Sequence, residues 1–283
     1  MAIKEWIFNK YDGQEKSLVK RLLNSRGIRT EEDIKEFLNP LEMKLTHPNA
    51  FTDMQKCVER LSTAIDNGEK IVIHGDFDAD GVTSTSLLYR TFKHLGADVN
   101  YFIPDREKEG HGFDTKALVK VMTQVKPKVI ISCDCGISDV DAVNFLNSFK
   151  IDVIITDHHE APEELPKAYG IINPKAPNAL DESLSTKQIT SLTSLAGVGV
   201  AFKVAQALLE KYEKLDYISE ILPYVAVGTV ADLVPLVGEN RYLVTKGLEL
   251  ISNGKHYGLT RLLDSAGYKG QITSEQIAFG IAP

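Results

Sequence analysis

A mostly parallel, doubly wound α/β sheet is the fold class that this sequence predicts, and two observations carry it. Short β-rich apolar runs recur at 71–73 (IVI), 99–103 (VNYFI), 128–132 (KVIIS) and 152–156 (DVIIT), with 169–173 (YGIIN) as a fifth. Amphipathic stretches suited to helices lie near 83–95, 115–125, 139–149 and 201–212. Strands alternating with helices at this spacing imply βαβ units, and hence a sheet covered on both faces.

Before the first strand, residues 1–68 read as a helical lead-in. Stretches such as SLVKRLLNS and EEDIKEFLNP are amphipathic and are broken by Gly27, Pro40 and Pro48. The segment DMQKCVERLSTAIDNG predicts a longer helix ended by Asn67 and Gly68. Residues 69–240 form the expected α/β domain. Past residue 190 the chain turns helical, and 241–283 reads as a helical extension. The chain ends at GIAP with no obvious terminal cap, which suggests a fragment.

Composition narrows the function classes. The chain has 283 residues, 43% hydrophobic and 25% charged, as ordinary folded proteins do. Its 32 Lys and Arg against 39 Asp and Glu give a net charge of −7, so a strongly basic nucleic-acid binder is excluded. Residues 1–68 hold eleven basic and eleven acidic residues, so the whole acidic excess lies in 69–283. Such a concentration is either a solvated surface or a cation site. No apolar run approaches the ~18 residues of a membrane span, and the charged N-terminus does not resemble a signal peptide. A cytoplasmic location is the default. Cys57, Cys133 and Cys135 are expected to be reduced thiols.

Three chemistry-bearing clusters each follow a predicted strand. They are His74, Asp76, Asp78 and Asp80 in HGDFDADG, Asp134 in CDCG, and Asp157, His158 and His159 in TDHH. Strand C-termini of a doubly wound sheet share one rim, where ligands bind, so the clusters should converge. Three aspartates within five residues repel one another unless a cation compensates, although a polar turn or a helix cap by Asp80 would also account for them. An EF-hand does not fit, because no Glu occupies the twelfth loop position. Imidazole beside carboxylate suits divalent transition metals. Adjacent side chains on extended backbone point oppositely, so one of His158 and His159 can ligate while the other faces substrate. Asp232, inside the apolar stretch VAVGTVADLVPL, is a fourth candidate, since buried acids are usually paired or metal-bound.

Other features are less specific. Gly197 and Gly199 resemble a phosphate loop but follow no clear strand, which favours packing at a helix start. Arg106 and His111 follow the second strand on the same rim and are candidate phosphate contacts, as is Arg241. The Asn173–Pro174 turn lines the rim or is an ordinary turn. No G-x-S-x-G or Walker loop is present.

Carboxylates plus His on one rim predict two divalent ions about 3.5–4 Å apart, serving in-line displacement at phosphorus. One carboxylate must bridge such a pair, and Asp134, between the other clusters, is the natural choice.

HGDFDADG, CDCG, TDHH and GTVADLVPL resemble the four ordered motifs of the DHH phosphoesterases, and the wording of the stretches HGDFDADGVTSTSLL, EGHG, LAGVGVAFK and GTVADLVPLVGENR is similar to the single-stranded-DNA exonuclease branch of that family. The resemblance covers essentially the whole chain. It implies that His74, Asp78 and Asp134 hold one metal, and that Asp80, Asp134, His158 and Asp232 hold the other, with Mn²⁺ foremost and Mg²⁺ the alternative. His159 would face the scissile phosphate, Asp157 would support the His pair, and Asp76 would be auxiliary. Also implied are 5′→3′ exonuclease action on single-stranded DNA in repair and recombination, and a single-strand-binding protein and a helicase as partners. Relatives of that branch continue into a second domain. The expectation is therefore a complete metal site with weak processive degradation. The competing readings are a phosphodiesterase of short oligonucleotides and a non-catalytic scaffold. The intact motifs oppose the scaffold.

Overall fold

The computed structural model describes residues 17–107, 112–113, 115–254 and 256–283. The chain divides into two compact units, one up to Lys44 and one from Leu45 to Pro283. In the small unit, helices α1 (Leu18–Ser25) and α2 (Glu31–Leu38) are capped by Ser17 and Thr30, whose side chains accept from Lys20 N and Asp33 N. A Lys20–Glu31 ion pair joins them.

The large unit is built on five parallel strands, β1 (Ile71–Gly75), β2 (Val99–Phe102), β3 (Val129–Cys133), β4 (Asp152–Thr156) and β5 (Gly170–Ile172), in the order β2-β1-β3-β4-β5. β1 and β3 are buried at every position, as a strand covered on both faces must be. The period of two splits their side chains between two layers. Val72, Ile130, Val153 and Ile155 face α5 (Thr115–Val125) and α6 (Val140–Ser148), through Leu118, Val121, Val143 and Leu146. Ile71, Ile73, Ile131 and Ile154 face the core built with α3 (Met54–Asp66), α4 (Ala79–His94) and, after α7 (Thr186–Thr193), α8 (Gly197–Lys211).

Helix α3, read from sequence within the lead-in, lies in the large unit. Met54, Cys57, Leu61 and Ala64 are wholly buried in the sheet's core, which draws the helix to α8 and β5. α8 is apolar on nearly every side because α9 (Ile218–Ala231) covers it from outside. α10 (Gly238–Ser252), α11 (Tyr257–Ser265) and α12 (Ser274–Gly280) add a smaller core with α9 around Val230, Val244, Leu263 and Ile277. No single helix among the described residues is long and apolar enough to cross a membrane.

The strand order positions the site. The chain leaves β1 for one edge, then returns across it to β3. At such a reversal the connections diverge, and a crevice opens beyond the carboxyl ends of the two strands. Gly75 pairs with Cys133, and Cys133 pairs with Thr156, so the three loops that follow start level with one another.

Candidate metal centre

The three predicted clusters meet at this crevice. Asp134 lies one residue past β3 with φ +63°, a left-handed conformation that few side-chain-bearing residues adopt. Its N–H donates to Thr156 O at 2.9 Å, which fixes that bend. Asp78 caps α4, its carboxylate accepting from Gly81 N at 2.9 Å. The cap expected of Asp80 is therefore made by Asp78. Asp80 instead reaches the first turn of α8, accepting from Gly197 N at 2.7 Å and Val198 N at 2.9 Å. Open helix amides attract anions, and here an internal carboxylate takes them. The glycine pair is thus a helix start, as its sequence context suggests. Asp232 ends α9, whose Gly228 lets Asp80 approach: a Cβ there would lie 2.8 Å from Asp80 Oδ1.

Among the described residues three donor groups result, each with its ligand atoms within 4.8 Å: Asp76, Asp78 and Asp134; Asp134, His158 and His159; Asp80, His158 and Asp232. Asp134 and His158 each belong to two of them, so the groups form one continuous array. His158 Nε2 lies 3.1 Å from Asp134, 3.7 Å from Asp232 and 3.9 Å from Asp80. Asp157 is buried and belongs to none of the three donor groups. It accepts from Ile137 N, His158 N, His159 N and His159 Nδ1, at 3.0, 2.7, 3.1 and 2.8 Å. That grip fixes the orientation of His159, whose side chain is 48% exposed.

Charge at the array is unbalanced. Burial raises the pKa of Asp80 well above the carboxylate range, and the charges of Asp134 and Asp232 add to it. Asp134 is raised likewise, by burial first and then by Asp78, and Asp232 is raised chiefly by burial. Burial also works against the Asp157 carboxylate, but its hydrogen bonds outweigh it and hold the pKa low. The bond to Asp157 raises His159 to about 9. Oδ1 of Asp134 and Oδ2 of Asp232 are buried and accept no hydrogen bond, with the His158 ring nitrogen near them at 3.1 and 3.7 Å. Buried carboxylates with unspent lone pairs suit a divalent cation, and imidazole beside them suits a transition ion such as Mn²⁺.

The remaining expected residues divide. The structure does not bring His74 into any donor group. Its Nε2 donates to the Gly112 carbonyl at 3.2 Å, and its ring lies against Phe102 and Phe113. Asp76 stands with Asp78 and Asp134 instead. Arg106 is carried to the first cluster by Phe77, over whose ring its guanidinium sits at 5.2 Å. Arg241 is half-buried near the start of α10, outside the donor groups. His111 lies outside the described residues. The turn at Asn173 does line the rim: its Nδ2 donates to His159 O at 3.0 Å. Sequence reading missed the pairing of Asp80 with the α8 amides, because its partners lie 117 and 118 residues away. It also missed Lys175, whose only signal was its place after the fifth strand.

Comparison with known proteins agrees with this geometry. The single-stranded-DNA-specific exonuclease RecJ of Bacillus subtilis is 40% identical over 267 residues, covering 94% of this chain and 32% of that protein. RecJ of Escherichia coli is 34% identical, covering 94% of this chain and 46% of that protein. The chain thus spans 32% to 46% of the length of these curated relatives. Among solved structures, an exonuclease RecJ bound to manganese superposes with a TM-score of 0.72 at 34% identity, covering 82% of this chain and 56% of that one. RecJ of Thermus thermophilus in complex with Mn²⁺ gives 0.73 at 32% identity, over 92% of this chain and 35% of that one. The parallel sheet with its flanking helices is the RecJ architecture. The model of the DHH family, N-terminal domain, matches residues 70–229, the stretch whose strand ends hold all but the last residue of the array, and the chain belongs to that family.

Proposed function

We propose that this chain hydrolyses phosphodiester bonds of single-stranded DNA with two divalent metal ions, Mn²⁺ foremost and Mg²⁺ the alternative, as a 5′→3′ exonuclease of repair and recombination. The observation that carries the reading is the continuous donor array in which Asp134 and His158 are each shared between groups. The likeness to RecJ, including manganese-bound RecJ, supports it. In this reading residues 69–240 are the phosphoesterase domain and 241–283 its helical extension, acting in the cytoplasm with a single-strand-binding protein and a helicase as partners.

Asp76, Asp78 and Asp134 would hold one ion. Asp80, His158 and Asp232 would hold the other, with Asp134 shared between them. When bound, such a pair supplies Lewis-acid polarisation of a phosphoryl group and activation of water near neutral pH. The chain's own groups do the rest. Asp157 takes the Nδ1 hydrogen of His159, leaving Nε2 to meet a non-bridging phosphate oxygen. Arg106, on Phe77, and Arg241 would add positive charge for the strand. His74 supports the segment at Gly112 through its hydrogen bond.

Digestion of end-labelled single-stranded DNA with Mn²⁺, Mg²⁺ or chelator tests the reading. Stepwise metal-dependent release from the 5′ end is expected. Absence of metal-dependent cleavage would overturn it. Cleavage of dinucleotides alone would shift the assignment to a short-oligonucleotide phosphodiesterase.

A further inference from the structure

We propose that Lys175 binds a phosphate of the substrate strand beside the metal centre, and that Glu160 occupies its ammonium group until that phosphate displaces it. This deepens the function proposed above and rests on it for the identity of the strand.

The turn after β5 is bonded to the loop that presents the imidazoles. Asn173 is fully buried, and its Nδ2 donates to His159 O at 3.0 Å. Its Oδ1 accepts from Lys175 N at 2.9 Å, and Ala176 N closes the turn on Asn173 O at 3.1 Å. One buried amide thus ties the backbone of Lys175 to that of His159. Displacing this turn would displace the imidazole with it.

The side chains are unequal partners. Nζ of Lys175 lies 3.0 Å from Oε1 of Glu160, yet the lysine side chain is 28% exposed and the glutamate 87%. The lysine lies against the protein and the glutamate lies in solvent. A pair with one partner so exposed is weak, because water and salt screen it and ordering a long side chain opposes it. Glu160 also follows His159 directly, so the pair lies beside the imidazole.

The position answers an electrostatic need. The centre is lined by Asp76, Asp78, Asp80, Asp134 and Asp232, and residues 69–283 around it carry the acidic excess. A polyanion approaching it needs positive charge at the lip. Lys175 is close enough to Asp232 for its charge to favour that carboxylate. A compact ammonium with three donors suits a phosphodiester that passes in varying orientations. The recognition is therefore of backbone and not of base.

The test compares the chain with Lys175→Ala, Lys175→Arg and Glu160→Gln. Cleavage of a short 5′-labelled oligodeoxynucleotide with Mn²⁺ is followed, and binding is measured by fluorescence anisotropy across a range of NaCl. Lys175→Ala should raise KM about tenfold with kcat nearly unchanged, and should flatten the plot of log affinity against log salt by about 0.7, the loss of one phosphate contact to a single strand. Lys175→Arg should restore most of both. Glu160→Gln should lower KM. A wild-type KM and slope in Lys175→Ala would overturn the proposal, as would a loss confined to kcat. An equal rise of KM in Glu160→Gln would also overturn it, since the pair would then be structural support. If the chain binds DNA without cleaving it, the proposed function fails while the salt slopes still decide on Lys175. If it does neither, both fail.

Discussion

Asp134 stands directly over Gly197. A Cβ at residue 197 would lie 2.5 Å from Asp134 Oδ1 and 2.7 Å from its Cβ, while the N–H of Gly197 holds Asp80. One residue without a side chain therefore seats two carboxylates of the array, Asp80 and the shared Asp134. The contact belongs to the packing of α8 against the end of β3, and its consequence belongs to metal binding.

Gly197→Ala is expected to cost about 1–3 kcal/mol, because neither the backbone of α8 nor the bent backbone at Asp134 can retreat cheaply. Its second effect is diagnostic. The wild-type melting temperature should rise with Mn²⁺ by linkage, and Gly197→Ala should lose most of that rise. Thermal unfolding with and without Mn²⁺ reads both. Full retention of the metal-induced shift would show that Asp134 does not depend on this contact.

Asp134→Asn isolates charge from conformation. Asn tolerates positive φ better than most residues, so the backbone at +63° is kept while one negative charge leaves a buried cluster. The metal-free variant should melt a few degrees higher than the metal-free parent, while metal-dependent hydrolysis is abolished. A variant that is both destabilised and active would contradict the shared role of Asp134.

The same repulsion sets a pH dependence for the metal-free chain. Asp80, Asp134 and Asp232 have folded-state pKa values above the ordinary 3.8. Groups raised in this way hold more protons folded than unfolded, so their contribution is complete below pH ~4 and is lost as pH rises through the raised values. Asp157, held low by its hydrogen bonds, works in the opposite sense at the acid end. Chelated protein should therefore be less stable at pH 8 than at pH 5.5 in denaturant titrations, and Mn²⁺ should remove most of that difference. Equal stability at the two values without metal would mean that the cluster is better solvated than its burial indicates.

Much of this centre was legible because strand ends are legible. IVI, KVIIS and DVIIT are buried runs, and the rule that their carboxyl ends share a rim brings Asp80, Asp134 and His158 together from the sequence alone. His74 shows where motif reading and periodicity part. Residue alternation along β1 puts it on the face of Val72, towards Phe113 and Leu118, and away from the α4 and α8 layer. Asp76, two residues on, is past the strand and free of that constraint. The bonds of Asp80 to α8 and of Asn173 to His159 were not legible, since each depends on how connections far apart in sequence settle after the sheet has formed.

Asp157→Asn tests orientation apart from metal binding. The carboxylate accepts four hydrogen bonds, three of them from backbone N–H groups. An amide has one acceptor oxygen and would turn its NH₂ towards one of those donors, leaving His159 misdirected. Loss of about 10–100-fold in kcat is expected, with the Mn²⁺-induced melting shift largely intact, because Asp157 lies in none of the donor groups. Loss of the shift along with the activity would place Asp157 in metal binding.

Asn240 offers a test far from the donors. Its buried Nδ2 donates to Ser194 O at 2.6 Å and to Pro235 O at 3.1 Å. The first carbonyl lies just before α8, whose opening amides hold Asp80, and the second lies three residues past Asp232. The amide therefore joins the two loops on which one donor group depends. Asn240→Ala would leave both carbonyls without their donor, at about 1–3 kcal/mol for a buried group left unsatisfied. Asn240→Asp should be worse, since it sets a carboxylate against two carbonyl oxygens. In both variants the half-saturating Mn²⁺ concentration for hydrolysis should rise, whereas KM for DNA at saturating Mn²⁺ should change little. A variant that loses stability but keeps the parental metal dependence would show that Asp80 and Asp232 are held by the helices alone.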